Sequence, residues 1–263
     1  MKTRFDFGAN WKRFSLNALT ADRVEQARVD FHALTEGVDL NSKTFLDVGF
    51  GQGLISFTAA RAGAKVYSLD ISPRCLEALE VTAQFFDPSI REKLDITVGS
   101  ILSNETVQSL LEKNRDGYHV VHAWGVLHHT GDLRGAFANC VKLLGAQGTL
   151  IIAIYNRHWS SPIWRLIKRL YCAAPAIVQK LLVAIFTPII FVAKFMVTRK
   201  NPMSTERGME FFTDIVDWVG GYPYEYATVE EMRSLGNEHG LKLVRVSPAL
   251  VPTGCNEFVF SSQ

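Results

Sequence analysis

The sequence predicts an α/β fold: a seven-stranded, mainly parallel sheet flanked by helices, with a helical insertion after the fifth strand. Three observations carry this. Short apolar runs alternate with helical segments from residue 44 to residue 154. A glycine-rich string, Asp47-Val48-Gly49-Phe50-Gly51-Gln52-Gly53, joins the first apolar run to the helix after it. The alternation stops after residue 156 in a long aromatic, basic and apolar stretch, and resumes at residue 228.

Taken in order, the first 40 residues read as a helical cap with early aromatics (Phe5, Phe7, Trp11, Phe14). Thr20 is placed to cap a helix over 21–34, and Gly37 to end it. A core over 41–156 follows. Its strands are expected at 44–48, 65–69, 94–98, 119–123 and 149–154, the second of them ending on Asp70. Helices are expected between them, after Gly53 to about 62, at 73–86 with Pro73 in the first turn, at 105–113, and at 133–144 closed by Gly145. Residues 157–227 form the insertion. Residues 228–263 return to the core: Thr228-Val229-Glu230-Glu231 is a capping box, Gly240 ends its helix, and 241–246 and 257–260 supply two strands that can form a hairpin.

Hydrophobic residues make up 48% and charged residues 21%, so the chain can bury a real core. A net charge of +2, with no basic stripe, argues against a nucleic-acid partner. Cys75, Cys140, Cys172 and Cys255 lie far apart with no paired spacing, which suits a reduced, cytoplasmic protein without a structural zinc. The start, MKTRFDFGANWKRF, has no apolar signal region. One stretch departs from the soluble pattern. Residues 176–197 carry only Lys180 and Lys194 as charges. Their uncharged run, 181–193, is 13 residues against the roughly 20 needed to span a bilayer, and Pro188 is expected to interrupt a helix there. A lid, an interface or a membrane-surface element is the expectation, not a span.

The glycine string follows a strand and precedes a helix, where glycine permits a tight turn and lets a ligand lie against the backbone. Asp70, at the end of the next strand, is placed to accept both hydroxyl protons of a ribose. The spacing is GxGxG and no phosphate-loop lysine is present. The string FLDVGFGQGLISFTAARAGAKVYSLDIS resembles the first two motifs of the class I S-adenosylmethionine-dependent methyltransferases. YHVVHAWGVLHHTGD is similar to the fourth-strand motif of small-molecule members, including the ubiquinone-biosynthesis type, and with AQGTLIIAIYN the likeness covers about 40–156. It implies a Rossmann-like fold and S-adenosylmethionine as cofactor. It further implies that Asp47 and the Gly49, Phe50, Gly51 and Gly53 backbone hold the methionyl part, Asp70 the ribose, and Ile71, Ser100 and Ile101 the adenine. Ser100 stands where many members carry an acid. Trp124 is similar to pocket-lining residues, and Trp11 of the N-terminal cap can close over the cofactor, as N-terminal helices do in related proteins, or simply pack on the domain surface.

Methyl transfer needs alignment, exclusion of water and sometimes a base, so candidates are sought after strands four and five. His128, beside His129, can act as a base or can pack its loop. A metal site built with His122 is not expected, because no carboxylate set accompanies the histidines. Asn156 can hold a substrate or end a strand. Tyr222, Tyr224 and Tyr226 can form an aromatic cage for a sulfonium or simply order a loop. Trp159, Trp164, Arg165, Lys168, Arg169 and Tyr171 precede the apolar stretch; they suit a lid, a homodimer contact, or an interfacial helix with basic groups toward lipid over about 160–200 on the inner membrane surface. The leading expectation is methyl transfer to a small molecule, lipid precursor or sugar-like metabolite. Two alternatives stand beside it: cyclisation or transfer of the cofactor's aminocarboxypropyl chain, releasing methylthioadenosine, and a non-catalytic binding protein.

Overall fold

The computed structural model describes residues 4–199, 201 and 211–262. Residues 200 and 202–210 of the expected insertion therefore lie outside the described residues. The elements run α1 Phe7–Asn17, α2 Ala21–Leu34, β1 Thr44–Val48, α3 Leu54–Arg61, β2 Lys65–Asp70, α4 Arg74–Ala83, the short α5 Pro88–Arg91, and β3 Leu94–Val98. Then come α6 Asn104–Lys113, β4 Tyr118–Trp124, a single 3-10 turn Leu127–His129, α7 Leu133–Leu143 and β5 Leu144–Tyr155. The remainder is α8 Ser161–Ala173, α9 Ala176–Thr198, α10 Phe211–Gly220, α11 Val229–Glu238, β6 Leu241–Ser247 and β7 Cys255–Ser262.

The seven strands form one sheet in the order β3-β2-β1-β4-β5-β7-β6, and only β7 runs antiparallel to its neighbours. Strand order reverses between β1 and β4, so the carboxyl ends of both open on one crevice, where ligands of such sheets bind. The central strands are apolar on both faces and bury two cores. One packs Leu46, Val121 and Ile152 against Phe137, Leu143 and Leu235 of the helices α7 and α11. The other packs Phe45, Val66 and Ile151 against Phe31 and Phe57 of α2 and α3. Local signals set the helix starts. Thr20 accepts the Arg23 amide, Ser103 the Thr106 amide and Asp132 the Gly135 amide, and the Thr228–Glu231 box is closed in both directions.

Two sequence expectations change. Gly145 does not close α7; β5 begins at Leu144, because Tyr118 of β4 pairs with Leu144 before a register shift to Val120 and Thr149. Pro188 does not interrupt a helix; α9 runs unbroken through it for 23 residues. Proline removes one donor, and a helix whose neighbouring turns stay bonded can carry that loss. Ala176–Val197 is thus long and apolar enough to cross a membrane by length and composition, with a mean hydropathy of 2.2, and none of its apolar window is buried.

Candidate active site

The glycine turn takes the conformation that glycine alone adopts freely. Gly49 and Gly51 have φ of +75° and +57°. A Cβ on Gly49 would lie 2.4 Å from Val126, and one on Gly51 2.9 Å from the indole of Trp11. The Leu69 carbonyl accepts the Gly49 amide at 2.6 Å and the Phe50 amide at 3.2 Å, pinning the turn to β2. Asp70 then faces the turn: its Oδ2 accepts the Gly51 amide at 3.0 Å and its Oδ1 the Ser72 amide at 2.9 Å. Burial raises its carboxyl above the ordinary range, opposed by the two amide bonds. Each carboxylate oxygen keeps a further lone pair, so the group can still accept from a vicinal diol.

Beside Asp70, Ile71 is 62% exposed, and Val98, which pairs with Asp70 across β2 and β3, is exposed too. Together they offer an apolar flank for a flat ring. Val98 was not anticipated; an apolar residue ending β3 in register with Asp70 is the signal that could have found it. Trp11 lies over Gly51 because α1 is clamped there by the ion pairs Asp6–Arg74 and Lys12–Glu77 and by Ser15 donating to Gln52 at 3.3 Å.

Several expected ligand contacts are taken by the protein itself. Asp47 is buried beneath the turn, where Oδ2 accepts Ser56 at 2.6 Å and Oδ1 meets His122 Nδ1 at 2.9 Å; it supports the loop from below. The Phe50 ring enters the core, leaving only its backbone at the turn. The Ile101 side chain is core as well, while Ser100 turns the chain by accepting the Leu102 amide at 3.2 Å. Trp124 donates its indole N–H to Glu257 at 3.0 Å, across Ala153. Among the described residues no three His, Cys, Asp or Glu side chains gather as a metal-ligand set.

Next to the turn, beyond β4 and β5, a second group of polar residues is enclosed. His128 is 1% exposed, its ring 4.2 Å from Tyr155 and 4.4 Å from His129 by centroids, and its Nδ1 has no hydrogen-bond partner. Burial, with His129 and Lys168 nearby, holds its pKa well below the usual value, so the imidazole is neutral. His129 Nδ1 meets the Pro223 carbonyl at 2.6 Å and, as that partner only accepts, must carry the proton; burial lowers its pKa to about 3. The Tyr222–Tyr226 loop is tied to the same segment. Glu225 donates its amide to the His128 carbonyl at 2.9 Å, and its carboxylate accepts the Gly131 and Leu133 amides at 3.1 and 3.2 Å at the start of α7.

The tyrosines do hold a cation, but it belongs to the chain. Lys168 of α8 is 1% exposed; its ammonium donates to the Trp218 carbonyl and sits 4.8 Å from the Tyr224 ring, 5.5 Å from Trp218 and 5.6 Å from Tyr155. Tyr226 receives the Arg157 guanidinium at 5.1 Å, and Tyr222 packs in the α8–α10 apolar cluster. The expected sulfonium cage is therefore not formed by these rings. Asn156 is likewise engaged: its Nδ2 donates to Pro252 at 2.9 Å and its Oδ1 accepts Asn256 at 3.1 Å, which fastens β5 to the β6–β7 connection. Lys168, which the sequence left open between a lid, a homodimer contact and a lipid-facing helix, is turned inward instead. Ser161, Trp164, Lys168, Tyr171 and Cys172 recur at three- and four-residue spacing, which puts Lys168 on the inner stripe of α8.

Burial lowers the Lys168 ammonium to about 8 and raises the nearby Asp217 carboxyl of α10 to about 7. Asp217 accepts Asn10 at 3.3 Å, and Asn10 accepts Arg13 at 2.6 Å, so α10 is linked to α1 above the glycine turn. A carboxyl that ionises at its ordinary 3.8 unfolded and near 7 folded makes the native state hold the extra proton between those values. Its contribution is fully present below 3.8 and is lost as pH rises through 7. Asp217→Asn should therefore raise the Tm at pH 8, by at most about 4 kcal/mol of stability, and match wild type below pH 4. Paired thermal melts across that range measure it; an equal Tm difference at both ends rules out the buried-carboxylate account.

A family model described as a methyltransferase domain matches residues 46–150. The ubiquinone biosynthesis O-methyltransferase of Yersinia enterocolitica is 30% identical over 139 residues, 53% of each chain. That of Serratia proteamaculans is 28% identical over 136 residues, 52% of each chain. The chain thus spans about half the length of the curated relatives it matches. Among solved structures, magnesium protoporphyrin IX methyltransferase from Synechocystis superposes with a TM-score of 0.58 at 13% identity, covering 97% of this chain and 94% of that one. An S-adenosylmethionine-dependent methyltransferase described as putative, from Listeria monocytogenes, gives 0.51 at 17% identity over 89% and 98%. These likenesses extend the shared fold beyond the domain match to most of the chain.

Proposed function

We propose that this chain, whose residues 46–150 match a methyltransferase-domain model, is a class I S-adenosylmethionine-dependent enzyme that methylates a small molecule held beyond β4 and β5. The observation that carries the reading is the left-handed glycine turn hydrogen-bonded to Asp70. The residues fit the cofactor. The left-handed turn leaves no room for side chains at Gly49 and Gly51, which keeps its backbone bare, Asp70 retains acceptor capacity for a ribose diol, and Ile71 and Val98 leave apolar surface for adenine. The bound cofactor supplies an electrophilic sulfonium methyl.

The chain's residues supply alignment and a dry site. α1 covers the turn through Trp11, and α8 and α10 cover the His128–Tyr155 side with Lys168 and Trp218. Water excluded there cannot compete with the acceptor. His128 offers a neutral nitrogen with an unpartnered lone pair, suited to taking a proton from a hydroxyl. The relatives are named O-methyltransferases, and that agrees with a hydroxyl acceptor.

Mass spectrometry of the products tests the reading. Incubation with S-adenosylmethionine and a fractionated extract of small hydroxylated metabolites should yield S-adenosylhomocysteine and a product heavier by one methylene. Methylthioadenosine formed from S-adenosylmethionine alone, above heat-killed controls, overturns it. So does the absence of any turnover by protein that binds the cofactor.

A further inference from the structure

The outer side of the helical layer carries none of the residues assigned above to the cofactor or the acceptor. α8 and α9 each turn one stripe inward: Tyr171 and Cys172 with half-buried Leu182, Val183, Phe186 and Ile190 form an apolar cluster with α10. The opposite stripes face outward. On α8, Ile163, Leu166 and Leu170 recur at three- and four-residue spacing and all are exposed; on α9, Leu181, Ile185, Ile189 and Val192 do the same. Trp159, at the start of α8, is 78% exposed. Such a continuous apolar face marks an interaction surface.

Its charges identify the occupant. No Asp or Glu occurs anywhere from residue 133 to residue 205. Arg165, Arg169, Lys180 and Arg199 are exposed on this segment, whereas Lys168 is buried and Arg157 is paired with Glu231. A two-fold contact between copies would face cations with cations and offer no acid from this segment to offset them. Anionic headgroups above acyl chains match both the charge and the apolar stripes. A bilayer span is disfavoured by the fold, because lifting α9 out would strip its inner stripe from α8 and α10.

We propose that the outer face of α8 and α9 docks the protein on an anionic lipid surface, lying in the interface without crossing it. This is independent of the methyl-transfer reading and uses none of its residues. Co-sedimentation of the whole protein with phosphatidylglycerol vesicles tests it against phosphatidylcholine vesicles. The expected result is partition at least about tenfold stronger to the anionic vesicles, weakened by salt. Ile185→Glu/Ile189→Glu, both at exposed positions, should abolish partition while circular dichroism and cofactor affinity stay as in wild type. Arg165→Gln/Arg169→Gln, as a milder pair, should weaken binding to anionic vesicles alone. Wild-type protein left in the supernatant overturns the proposal, as does equal binding to both vesicle types. A dimer in sedimentation equilibrium that the glutamate pair dissociates assigns the face to a second copy and overturns it. Retention in cell membranes after an alkaline wash means a span, and overturns it as well.

Discussion

Asp70→Ala should weaken S-adenosylmethionine binding by about a hundredfold. Two charge-assisted hydrogen bonds to the ribose, at roughly 1.5 kcal/mol each, account for about 3 kcal/mol, which is that factor in Kd. The same substitution releases the Gly51 and Ser72 amides, so part of the loss comes through a slackened turn. Asp70→Asn separates the contributions: its single acceptor oxygen cannot serve the two amides and a diol together, so affinity should fall between wild type and the alanine variant. The pH dependence has a definite sign. Burial raises this carboxyl, so affinity should decline with acidification at a higher pH than an exposed aspartate would give. Titration calorimetry reads both effects, and an unchanged Kd in a folded alanine variant would falsify the assignment.

His128→Ala should lower kcat by about a hundredfold or more, the usual range for removing a general base, while the cofactor Kd moves by less than about twofold. The two readouts separate chemistry from packing. A residue that only filled space between Tyr155 and His129 would lower Tm and leave the kcat of the folded fraction near wild type. The imidazole is held well below its ordinary 6.5, so it is already in its basic form across neutral pH. No bend in kcat near pH 6.5 should arise from it. A bend there that vanishes in His128→Ala would show an imidazole in contact with solvent, contrary to its 1% exposure.

The sheet and the cofactor side were legible in the sequence because their determinants are local. The limits of β1 and β3 follow from apolar runs bounded by breakers, and α2 and α11 follow from Thr20 and the Thr228–Glu231 box. The glycine turn and Asp70 are joined by the parallel pairing of β1 with β2, which a short crossover imposes. Tertiary structure alone decided the acceptor side. Lys168 could serve a lid, a homodimer contact or a lipid-facing helix as far as the sequence went, and its actual partners, Trp218 with Tyr155 and Tyr224, come from three other segments. Asn156 has the same history: its amide is consumed by Pro252 and Asn256, about a hundred residues away in sequence. α9 shows the complementary case, since composition set its apolarity, yet only packing shows which stripe meets α10 and which stays outside. Backbone turns and strand pairs are specified by neighbouring residues; the partner of a buried polar side chain is chosen by where distant segments meet.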